Sequence, residues 1–383
     1  MTHRARPFPA LALLLSAAVA IALTVALGGP AGAIVSATPD WGNAPQCQAN
    51  DRVIAVAYLG DTIFLGGEFT QVNNTARNHL AACNASTGAL LSWNPNANGV
   101  VRALRVSNGG RVFAGGDFTS VGGHARSRIA SISAASGGIY GFNPGANNSV
   151  KSITFSNSGS TMYAGGDFSS AGGRSRARLA AFDGVTGAVT SLAPSISNGT
   201  DFATVLAMDV SADGTTLYFA GDFARVNGAS RRNAAAISSG VGTLRSWSPS
   251  STADVVGDLT LSTSGRTVFV GGRASGGYVQ AYGPTTGGAP VWNVSANGDV
   301  EALAIISSTL YVGGHFFNIG GQPRNHLAAL SASGGLTSWN PTADGALGAF
   351  GAAITSSRVA FGGEFNNVGG QAHRGIVQFS GAA

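Results

Sequence analysis

The sequence has few charged residues, and lysine is almost missing from them. Asp, Glu, Lys and Arg make up 10% of the 383 residues, and Lys151 is the one lysine beside 21 arginines. The formal net charge of +5 falls short of the dense positive surface on which nucleic-acid binding rests. We therefore expect no nucleic-acid partner. A hydrophobic fraction of 44% is ample for a packed core and excludes a largely disordered chain.

Motifs that would name a reaction are also missing. The six histidines lie in no His-Glu-x-x-His setting, and the chain has no Cys-x-x-Cys pair, no Gly-x-Ser-x-Gly elbow and no phosphate-binding P-loop. Scattered Ser and Asp residues cannot nominate a catalytic triad in a chain this rich in serine. We expect no metal and no cofactor, we assign no catalytic residue, and we favour a binding protein over an enzyme.

The first 33 residues have the features of a secretory signal peptide. A short basic start precedes an apolar run, Leu11–Leu27, and the small residues 31–33 follow it. An uncleaved membrane anchor is the alternative, because the run is long for a signal peptide, but the Gly-Gly-Pro break at 28–30 favours cleavage. We predict a signal peptide over 1–33 and one secreted domain over 34–383, with no stable membrane insertion.

Only two cysteines are available to the secreted chain, Cys47 and Cys83. Disulfides form and persist in exported proteins, so we predict that these two residues pair. The closed loop would stabilise the fold by about 4 kcal/mol if the cross-link acts through chain entropy.

An apolar run that ends in a Gly-Gly-acid-Phe phrase occurs seven times. The intervals between successive occurrences run from 42 to 55 residues, and no helical periodicity accompanies them. Regular spacing of this length predicts a repeat architecture rather than separate domains. The seven occurrences are Gly66–Phe69, Gly115–Phe118, Gly165–Phe168, Ala220–Phe223, Gly271–Ala274, Gly313–Phe316 and Gly362–Phe365.

Within a repeat, apolar residues alternate and are interrupted by Gly, Asn and Ser clusters, which is typical of strands and hairpins. The second repeat predicts strands over Val101–Val106, Arg111–Phe118, Arg128–Ser133 and Ile139–Pro144, with a long loop, Thr119–Ser127, in the middle. Four antiparallel strands in each of seven repeats predict an all-β fold, a seven-bladed β-propeller.

The N-terminal part of the mature chain is predicted to close this propeller. The seventh repeat stops after its third strand, Gly375–Phe379, whereas most other fourth strands carry Trp, Phe or Leu two residues before Pro. Trp41 lies in a matching position just before the first strand at Val53. The N-terminal segment would then be the outer strand of blade seven and remove an exposed edge, with Cys47 and Cys83 locking it to blade one.

The repeat resembles a known family. The stretch VFAGGDFTSVGG, followed by Arg126 and then RIASISAASGG, resembles the delta-sixty repeat propellers that actinobacteria secrete. The repeats are similar, more distantly, to the propeller region of fungal cortical polarity markers and, in LAAFDGVTG, to quinoprotein propellers. The resemblance covers about residues 37 to 380 and implies a propeller fold but little about function. No residues match the quinoprotein cofactor ligands, so that chemistry is not implied.

A regular polar pattern predicts structural ion pairs. An acid just before the motif Phe is followed, after the next loop, by an arginine that could hold the loop through a bidentate pair. A ring of calcium ligands is the alternative, but one acid per loop supplies too few oxygen atoms. The predicted pairs are Glu68 with Arg77, Asp117 with Arg126, Asp167 with Arg176, and Asp222 with Arg231.

The fifth and sixth repeats depart from the pattern. Arg273 and Ala274 replace the acid and Phe of repeat five, whose following loop is short, and His315 replaces the acid of repeat six. A short loop would open a notch at the rim, suited to an anionic or hydroxyl-rich ligand, although simple decay of the repeat is the alternative. The candidate ligand-binding residues are Arg273, Tyr278, His315, Arg324, Arg231 and His326.

A second candidate site is the mouth of the central channel. Arg102, Lys151, Asp258 and Glu301 occupy nearby positions in the first strands of different repeats. Their mixed signs indicate no particular ligand.

The predicted function is that of an extracellular or cell-surface binding and adhesion module for a glycan, a cell-wall fragment, an anionic ligand or another protein. An extracellular polysaccharide hydrolase or lyase and a protein-interaction scaffold are the alternatives. An acid with a raised pKa that faces a pocket beside His315 or Arg273 would favour an enzyme. A scaffold would show an exposed apolar patch, and a binding module would show a rim groove without such an acid.

Overall fold

Strands and loops make up the whole described part of the chain, which contains no helix. No helix long and apolar enough to cross a membrane occurs there. The predicted signal peptide over 1–33 lies outside the described residues. The computed structural model describes residues 35–42, 46–107, 109–199, 202–250, 255–273 and 276–381.

The first four repeats share one order of elements: two long strands, a hairpin of two short strands, and a third long strand. Repeat four has one additional short strand at its start. Repeat one contains β1 (Val53–Leu59), β2 (Thr62–Gly67), β3 (Gln71–Val72), β4 (Thr75–Ala76) and β5 (Leu80–Asn84). Repeat two contains β6 (Val101–Val106), β7 (Arg111–Gly116), β8 (Ser120–Val121), β9 (His124–Ala125) and β10 (Ile129–Ser133). Repeat three contains β11 (Val150–Phe155), β12 (Thr161–Gly166), β13 (Ser170–Ala171), β14 (Arg174–Ser175) and β15 (Leu179–Asp183). Repeat four contains β16 (Ile196–Ser197), β17 (Thr204–Val210), β18 (Thr216–Asp222), β19 (Arg225–Val226), β20 (Ala229–Ser230) and β21 (Ala234–Ser238).

The last three repeats follow the same plan, except that repeat five has no described hairpin after its second long strand. Repeat five contains β22 (Ser248–Pro249), β23 (Val255–Leu261), β24 (Val268–Arg273), β25 (Tyr278–Tyr282), β26 (Gly287–Gly288) and β27 (Trp292–Ser295). Repeat six contains β28 (Asp299–Ile306), β29 (Thr309–His315), β30 (Asn318–Ile319), β31 (Gln322–Pro323) and β32 (Leu327–Ser331). Repeat seven contains β33 (Gly348–Ile354), β34 (Arg358–Glu364), β35 (Asn367–Val368), β36 (Gln371–Ala372) and β37 (Ile376–Ser380).

The long strands of each repeat form one antiparallel sheet. Seven such sheets occur among the described residues, ordered β1-β2-β5, β6-β7-β10, β11-β12-β15, β17-β18-β21, β23-β24-β25-β27, β28-β29-β32 and β33-β34-β37. The first strand of every sheet contacts the first strand of the next, and β33 in turn contacts β1. The second and third strands are almost entirely buried between neighbouring sheets, which explains their continuous runs of small and apolar residues.

The predicted fourth strands are mostly too short to count as strands. Among the described residues, a four-stranded sheet occurs in repeat five alone, where β27 pairs with β25. In repeat two the outer segment makes a single bridge, Ile132 to Ile139, although a strand over Ile139–Pro144 was predicted. Proline and the polar residues beside it contribute few ladder hydrogen bonds, so these outer segments pair only briefly. The other three strands of repeat two match their predictions to within two residues at each end.

Lack of space explains the repeated Gly-Gly pair. A Cβ atom on Gly165, the first of a pair, would lie 2.6 Å from Val205 Cγ1 of the next sheet. A Cβ atom on Gly166, the second, would lie 2.1 Å from the backbone oxygen of Ser149 in the loop before the first strand. Ordinary van der Waals contact is far longer than either distance, so Gly165 and Gly166 are both required for close packing in repeat three. Repeat four has Ala220 at the first position and keeps glycine at the second.

We expect Gly166→Ala to lower the free energy of unfolding by about 3 kcal/mol, because a backbone atom blocks the added methyl group. The matched control is Gly141→Ala, where an added Cβ would meet no atom within 4 Å. That control should change stability by less than about 0.5 kcal/mol. Urea unfolding of both variants checks the prediction, and equal stabilities would contradict the packing explanation.

The N-terminal segment lies along the outer edge of the seventh sheet. The Asp40 backbone N–H donates to the Gln378 carbonyl at 2.8 Å, and Ser36 N–H donates to the Gly381 carbonyl at 3.1 Å. The predicted disulfide between Cys47 and Cys83 is present, and it joins this end of the chain to β5. Both cysteines are fully buried.

Tryptophan side chains link successive outer segments to the neighbouring sheet. Each indole Nε1–H donates to a backbone carbonyl near the end of the third strand of the next repeat, or to the segment paired with it. Trp41 makes the same kind of bond as the tryptophans that precede Pro in the repeats. The bonds join Trp93 to Ser133, Trp247 to Gly283, Trp292 to Ala332, Trp339 to Ser36, and Trp41 to Ala85, at 2.8 to 3.1 Å.

Candidate functional site

A cavity of about 700 Å³ lies between the first strands. All seven sheets contribute their first strand to its wall. The wall carries five basic side chains and four acidic ones, in a protein that has few charges elsewhere. The basic residues are Arg52, Arg102, Arg105, Lys151 and Arg273, and the acidic residues are Glu68, Asp209, Asp258 and Glu301.

A β-bulge in every first strand turns one residue toward this cavity. The register of each first strand against its second strand shifts by one residue near the start of the strand. Bulges of this kind re-aim a side chain, and all seven skipped residues line the cavity. They are Ile54, Arg102, Lys151, Leu206, Gly257, Glu301 and Phe350.

Three of the motif acids pair with a cation in or just before a first strand and not with the arginines predicted to be their partners. Asp117 accepts from Arg102 at 2.7 Å, and Asp167 lies 2.9 Å from the Lys151 ammonium group. Arg52 lies 3.4 Å from Glu68 and also pairs with an acid of repeat seven. For Glu68, Asp117 and Asp167 the partner is therefore not the predicted arginine, because each acid at the end of a second strand lies beside a cation of the cavity wall. The pair of Asp222 with Arg231 stays a prediction.

The predicted partner arginines bind backbone carbonyls instead. In each of them, one guanidinium nitrogen donates to the preceding residue and the other to the outer segment of the same repeat. This bidentate clamp holds the rim loop against the sheet, so the structural role predicted for these arginines is kept with different acceptors. Arg77 donates to Ala76 and Leu91, Arg126 to Ala125 and Tyr140, Arg176 to Ser175 and Thr190, Arg231 to Ser230 and Arg245, and Arg324 to Pro323 and Thr337.

Arg273 points into the cavity rather than into a notch at the rim. Its guanidinium pairs with Glu301 of the next repeat. Gly257 makes this reach possible, because a Cβ there would lie 2.8 Å from the Cδ atom of Arg273. The broken symmetry of repeat five therefore shapes the cavity wall. Ala274, the other departure in this repeat, lies outside the described residues.

The other proposed notch residues are not brought together around one opening. Tyr278 is buried, and so is His326, whose ring nitrogens lie 3.1 and 3.2 Å from the carbonyl oxygens of Gly314 and Gly345. His315 stacks on His326, with 6.4 Å between ring centroids. Arg231 and Arg324 are engaged in the clamps described above. Arg231 and Arg324 thus follow the regular pattern of the repeats, and the notch at the rim stays a prediction.

Asp258 is the clearest departure from the repeat inside the cavity. Its Oδ1 accepts from the Leu259 backbone N–H and its Oδ2 from the Leu303 N–H of the next sheet, both at 2.7 Å. The carboxyl therefore bridges two sheets and still borders the cavity. The residue that follows the bulge is small in the other six first strands: Ala55, Ala103, Ser152, Ala207, Ala302 and Gly351.

Arg105 and Asp209 form a second departure, two positions further along the first strands. Asp209 Oδ2 accepts from the Leu261 N–H of the next sheet at 2.9 Å. Arg105 is exposed to the cavity, and its side chain has no ion pair or hydrogen bond within the described part of the chain. The other four cations in the wall all have carboxylate partners. The corresponding residues of the other strands are Ala57, Thr154, Thr260, Ala304 and Ala353.

The protein environment shifts the pKa of both carboxyls upward. Burial raises the pKa of Asp258 to about 7, while the backbone hydrogen bonds and the charge of Arg105 act in the opposite direction. Burial also raises the pKa of Asp209, again opposed by its backbone hydrogen bonds and by Arg105. Because folding raises the pKa of Asp258 from 3.8, the folded chain holds a proton that the unfolded chain releases, so this carboxyl makes stability fall as the pH rises through that interval.

Removing the positive charge should raise the pKa of Asp258 further. We expect Arg105→Met to move it upward by about one unit, because an opposite charge nearby favours the ionised carboxylate. A pH titration of the side-chain carboxyl carbon of Asp258, followed by nuclear magnetic resonance, measures this change in pKa. Arg266→Met, which removes an exposed arginine outside the cavity wall, should leave the titration unchanged. An unchanged pKa in the Arg105 variant would contradict the electrostatic link.

Sequence reasoning identified part of this site. Arg102, Lys151, Asp258 and Glu301 were predicted at the channel mouth, and all four line the cavity. Arg105 and Asp209, which also line the cavity, were missed. Alignment of the seven first strands from their bulges would have revealed them, since charged residues are rare at that position.

Comparison with known proteins addresses the fold and not the activity. No protein-family model matches the chain, and no curated protein matches it. The computationally designed protein Ika8 is similar over 87% of this chain and 97% of its own, with 13% identity and a TM-score of 0.54. The WD40 β-propeller domain of Doa1 is similar over 90% of this chain and 97% of its own, with 11% identity and a TM-score of 0.60. The fold is a β-propeller. In a propeller the inner strands of the blades surround a central channel, which is where this cavity lies.

Proposed function

We propose that this propeller has seven blades and that the N-terminal segment closes it, with residues 34–383 as a single domain. Seven main sheets, each touching the next through its first strand, support the blade count. The hydrogen bond from Trp41 to Ala85 supports the closure, because the tryptophans of the complete repeats bind the following sheet in the same way. A closed ring leaves no long sheet edge exposed to other chains.

We also propose that the protein acts outside the cell, as a secreted relative of the delta-sixty repeat propellers. The apolar leader over 1–33 supports export. The buried disulfide between Cys47 and Cys83 is compatible with an oxidising compartment.

The function we propose is binding of a small polar ligand in the central cavity. The observation that carries this proposal is that the charged departures from the repeat converge there. Asp258, Asp209 and Arg105 occupy positions where most other first strands have alanine or another small residue. Packing between the sheets is satisfied by small residues at these positions, so packing alone gives no reason for the charges.

A thermal-shift screen of residues 34–383 tests the proposal. The library contains glycans, cell-wall fragments, amino acids, anionic metabolites and divalent metals, with a chelator control. A cavity ligand at a large excess over its Kd should raise the unfolding temperature by about 2 to 4 °C. Arg105→Met should remove the shift, and Arg266→Met should preserve it. If Arg324→Ala abolishes the ligand-induced rise in unfolding temperature and Arg105→Met preserves it, the ligand binds at the rim. That result would overturn the proposal.

One observation favours an enzyme as the second candidate. Asp258, with its pKa raised to about 7, borders the same cavity as Arg273, as expected of a general acid in a polysaccharide hydrolase or lyase. Release of reducing ends from extracellular polysaccharides is the appropriate assay. A hydrolase whose acid is Asp258 should lose more than about 99% of its activity in Asp258→Asn. Full activity of that variant would exclude this role.

A further inference from the structure

The cavity separates one unpaired positive charge from two negative ones. Arg105 extends from β6, whereas Asp209 lies on β17 and Asp258 on β23. All three residues line the same cavity, and the charge of Arg105 acts to lower the pKa of both acids although Arg105 forms no ion pair with either of them. We propose that this space takes a small zwitterion that carries a carboxylate and a protonated amine, in the manner of an amino acid or a short peptide. The inference rests on the proposed function of the cavity.

The carboxylate of such a ligand matches Arg105. A guanidinium offers two parallel N–H donors to a planar carboxylate, and this one has no competing acceptor within the described residues. Phosphate could use the same donors. However, when Asp209 and Asp258 are ionised, their negative charges also reach this space and disfavour a ligand with two negative charges. A monoanionic group is therefore the better match.

The ammonium group of the ligand matches the two acids. Each carboxyl oxygen of Asp258 accepts one backbone N–H, and so does each oxygen of Asp209. A carboxylate oxygen has two lone-pair sites, so each retains an acceptor site for a donor in the cavity. An ammonium group has three donors and no acceptor. A metal ion fits less well, because calcium takes six to eight oxygen ligands and no group of three or more metal-binding side chains occurs in the described part of the chain.

Small side chains leave room for the body of the ligand between its charged ends. Ala57, Ala304 and Ala353 stand at the same level of the first strands as Arg105 and Asp209, and all five border the cavity. A volume of about 700 Å³ is large enough for an amino acid with its side chain or a short peptide. The cavity wall thus has charged groups for both ends of the ligand and small apolar side chains for the part between them.

Isothermal titration calorimetry with a series of ω-amino acids tests the inference. Glycine, β-alanine, γ-aminobutyrate and ε-aminohexanoate place the two charges at increasing distances, and butylamine and butyrate each carry one charge. We expect the best zwitterion to bind at least about tenfold more tightly than either single-charge compound, since each charge-assisted hydrogen bond contributes separately. Arg105→Met should reduce its affinity to that of butylamine, and Asp209→Asn should reduce it toward that of butyrate. Arg266→Met is the matched control and should change neither.

The pH dependence gives an independent readout. Asp258 faces Asp209 and Arg105, with the ion pair of Arg273 and Glu301 beside it in the same wall. Lowering the pH from about 8 to about 5.5 protonates a carboxyl whose pKa is near 7 and removes an acceptor charge for the amine. Affinity for the zwitterion should therefore fall, whereas affinity for butyrate should not.

Two outcomes would overturn the inference. If butyrate or butylamine binds as tightly as every zwitterion, or if Arg105→Met does not weaken zwitterion binding, the ligand class is wrong. The cavity proposal survives that result when another library compound loses its thermal shift in Arg105→Met. If neither the amino acids nor any library compound produces a shift that depends on Arg105, both proposals fail.

Discussion

Trp247→Ala should lower the free energy of unfolding by about 4 kcal/mol, one of the two largest effects expected of a change to this chain. The side chain is fully buried between the fourth and fifth sheets. Its ring meets Tyr218 edge-on at 5.1 Å and Tyr282 at 6.3 Å, and its Nε1–H donates to the Gly283 carbonyl at 2.9 Å. Truncation removes the buried apolar surface and the hydrogen bond together, and it leaves a large cavity.

Two further variants separate the contributions at this position. Trp247→Phe keeps most of the ring and leaves the Gly283 carbonyl without its donor, so it should cost about 1 to 3 kcal/mol. Trp292→Ala removes a partly exposed tryptophan that makes the same kind of bond, and it should cost less than Trp247→Ala. Urea unfolding followed by fluorescence and circular dichroism measures all three. Equal losses for the two alanine variants would show that burial does not determine the effect.

Loss of the disulfide should destabilise the chain by a similar amount. We expect the double variant Cys47→Ala and Cys83→Ala to lose about 4 kcal/mol, since the bond closes a loop of 36 residues in the unfolded chain. Alanine suits the test because both sites are fully buried and a serine hydroxyl would need a partner. Thermal unfolding with and without a reductant gives the measurement.

The wild-type chain under reducing conditions is the internal control for this prediction. Its unfolding temperature should fall toward that of the double variant, whose own transition should not respond to the reductant. Hydrogen exchange should also become faster at the backbone N–H groups of Asp40 and Ala49, which hold the N-terminal segment against the last sheet. Identical stability of the oxidised and reduced chains would refute the proposed contribution of the cross-link.

The all-β repeat architecture could be predicted because local patterns determine it. The spacing of the Gly-Gly pairs and the alternation around them located the long strands, and the predicted boundaries Val101–Val106 agree with β6. Pairing of the two cysteines followed from their number. The outer strands were overestimated because their apolar pattern continues where the hydrogen-bond ladder does not, as at Ile139.

The candidate site was harder to predict, because the direction in which each side chain points matters there more than the spacing of residues along the sequence. Asp117 and Arg126 are close in the sequence, but a bulge turns Arg102 toward the same acid from the other side. Nothing in the spacing of the acids reveals which side of the sheet they face. Likewise, the reach of Arg273 to Glu301 depends on the missing side chain of Gly257, which only the assembled neighbours make evident.

The bulge in each first strand has an evolutionary consequence. In six of the seven repeats it places one side chain at the cavity wall, and these side chains differ in chemistry, as Glu301 and Phe350 illustrate. Mutations at the six positions other than Gly257 can change the recognition chemistry while remaining nearly neutral for folding. Selection can therefore act on each repeat separately, so that one ancestral scaffold gives rise to descendants with different ligands.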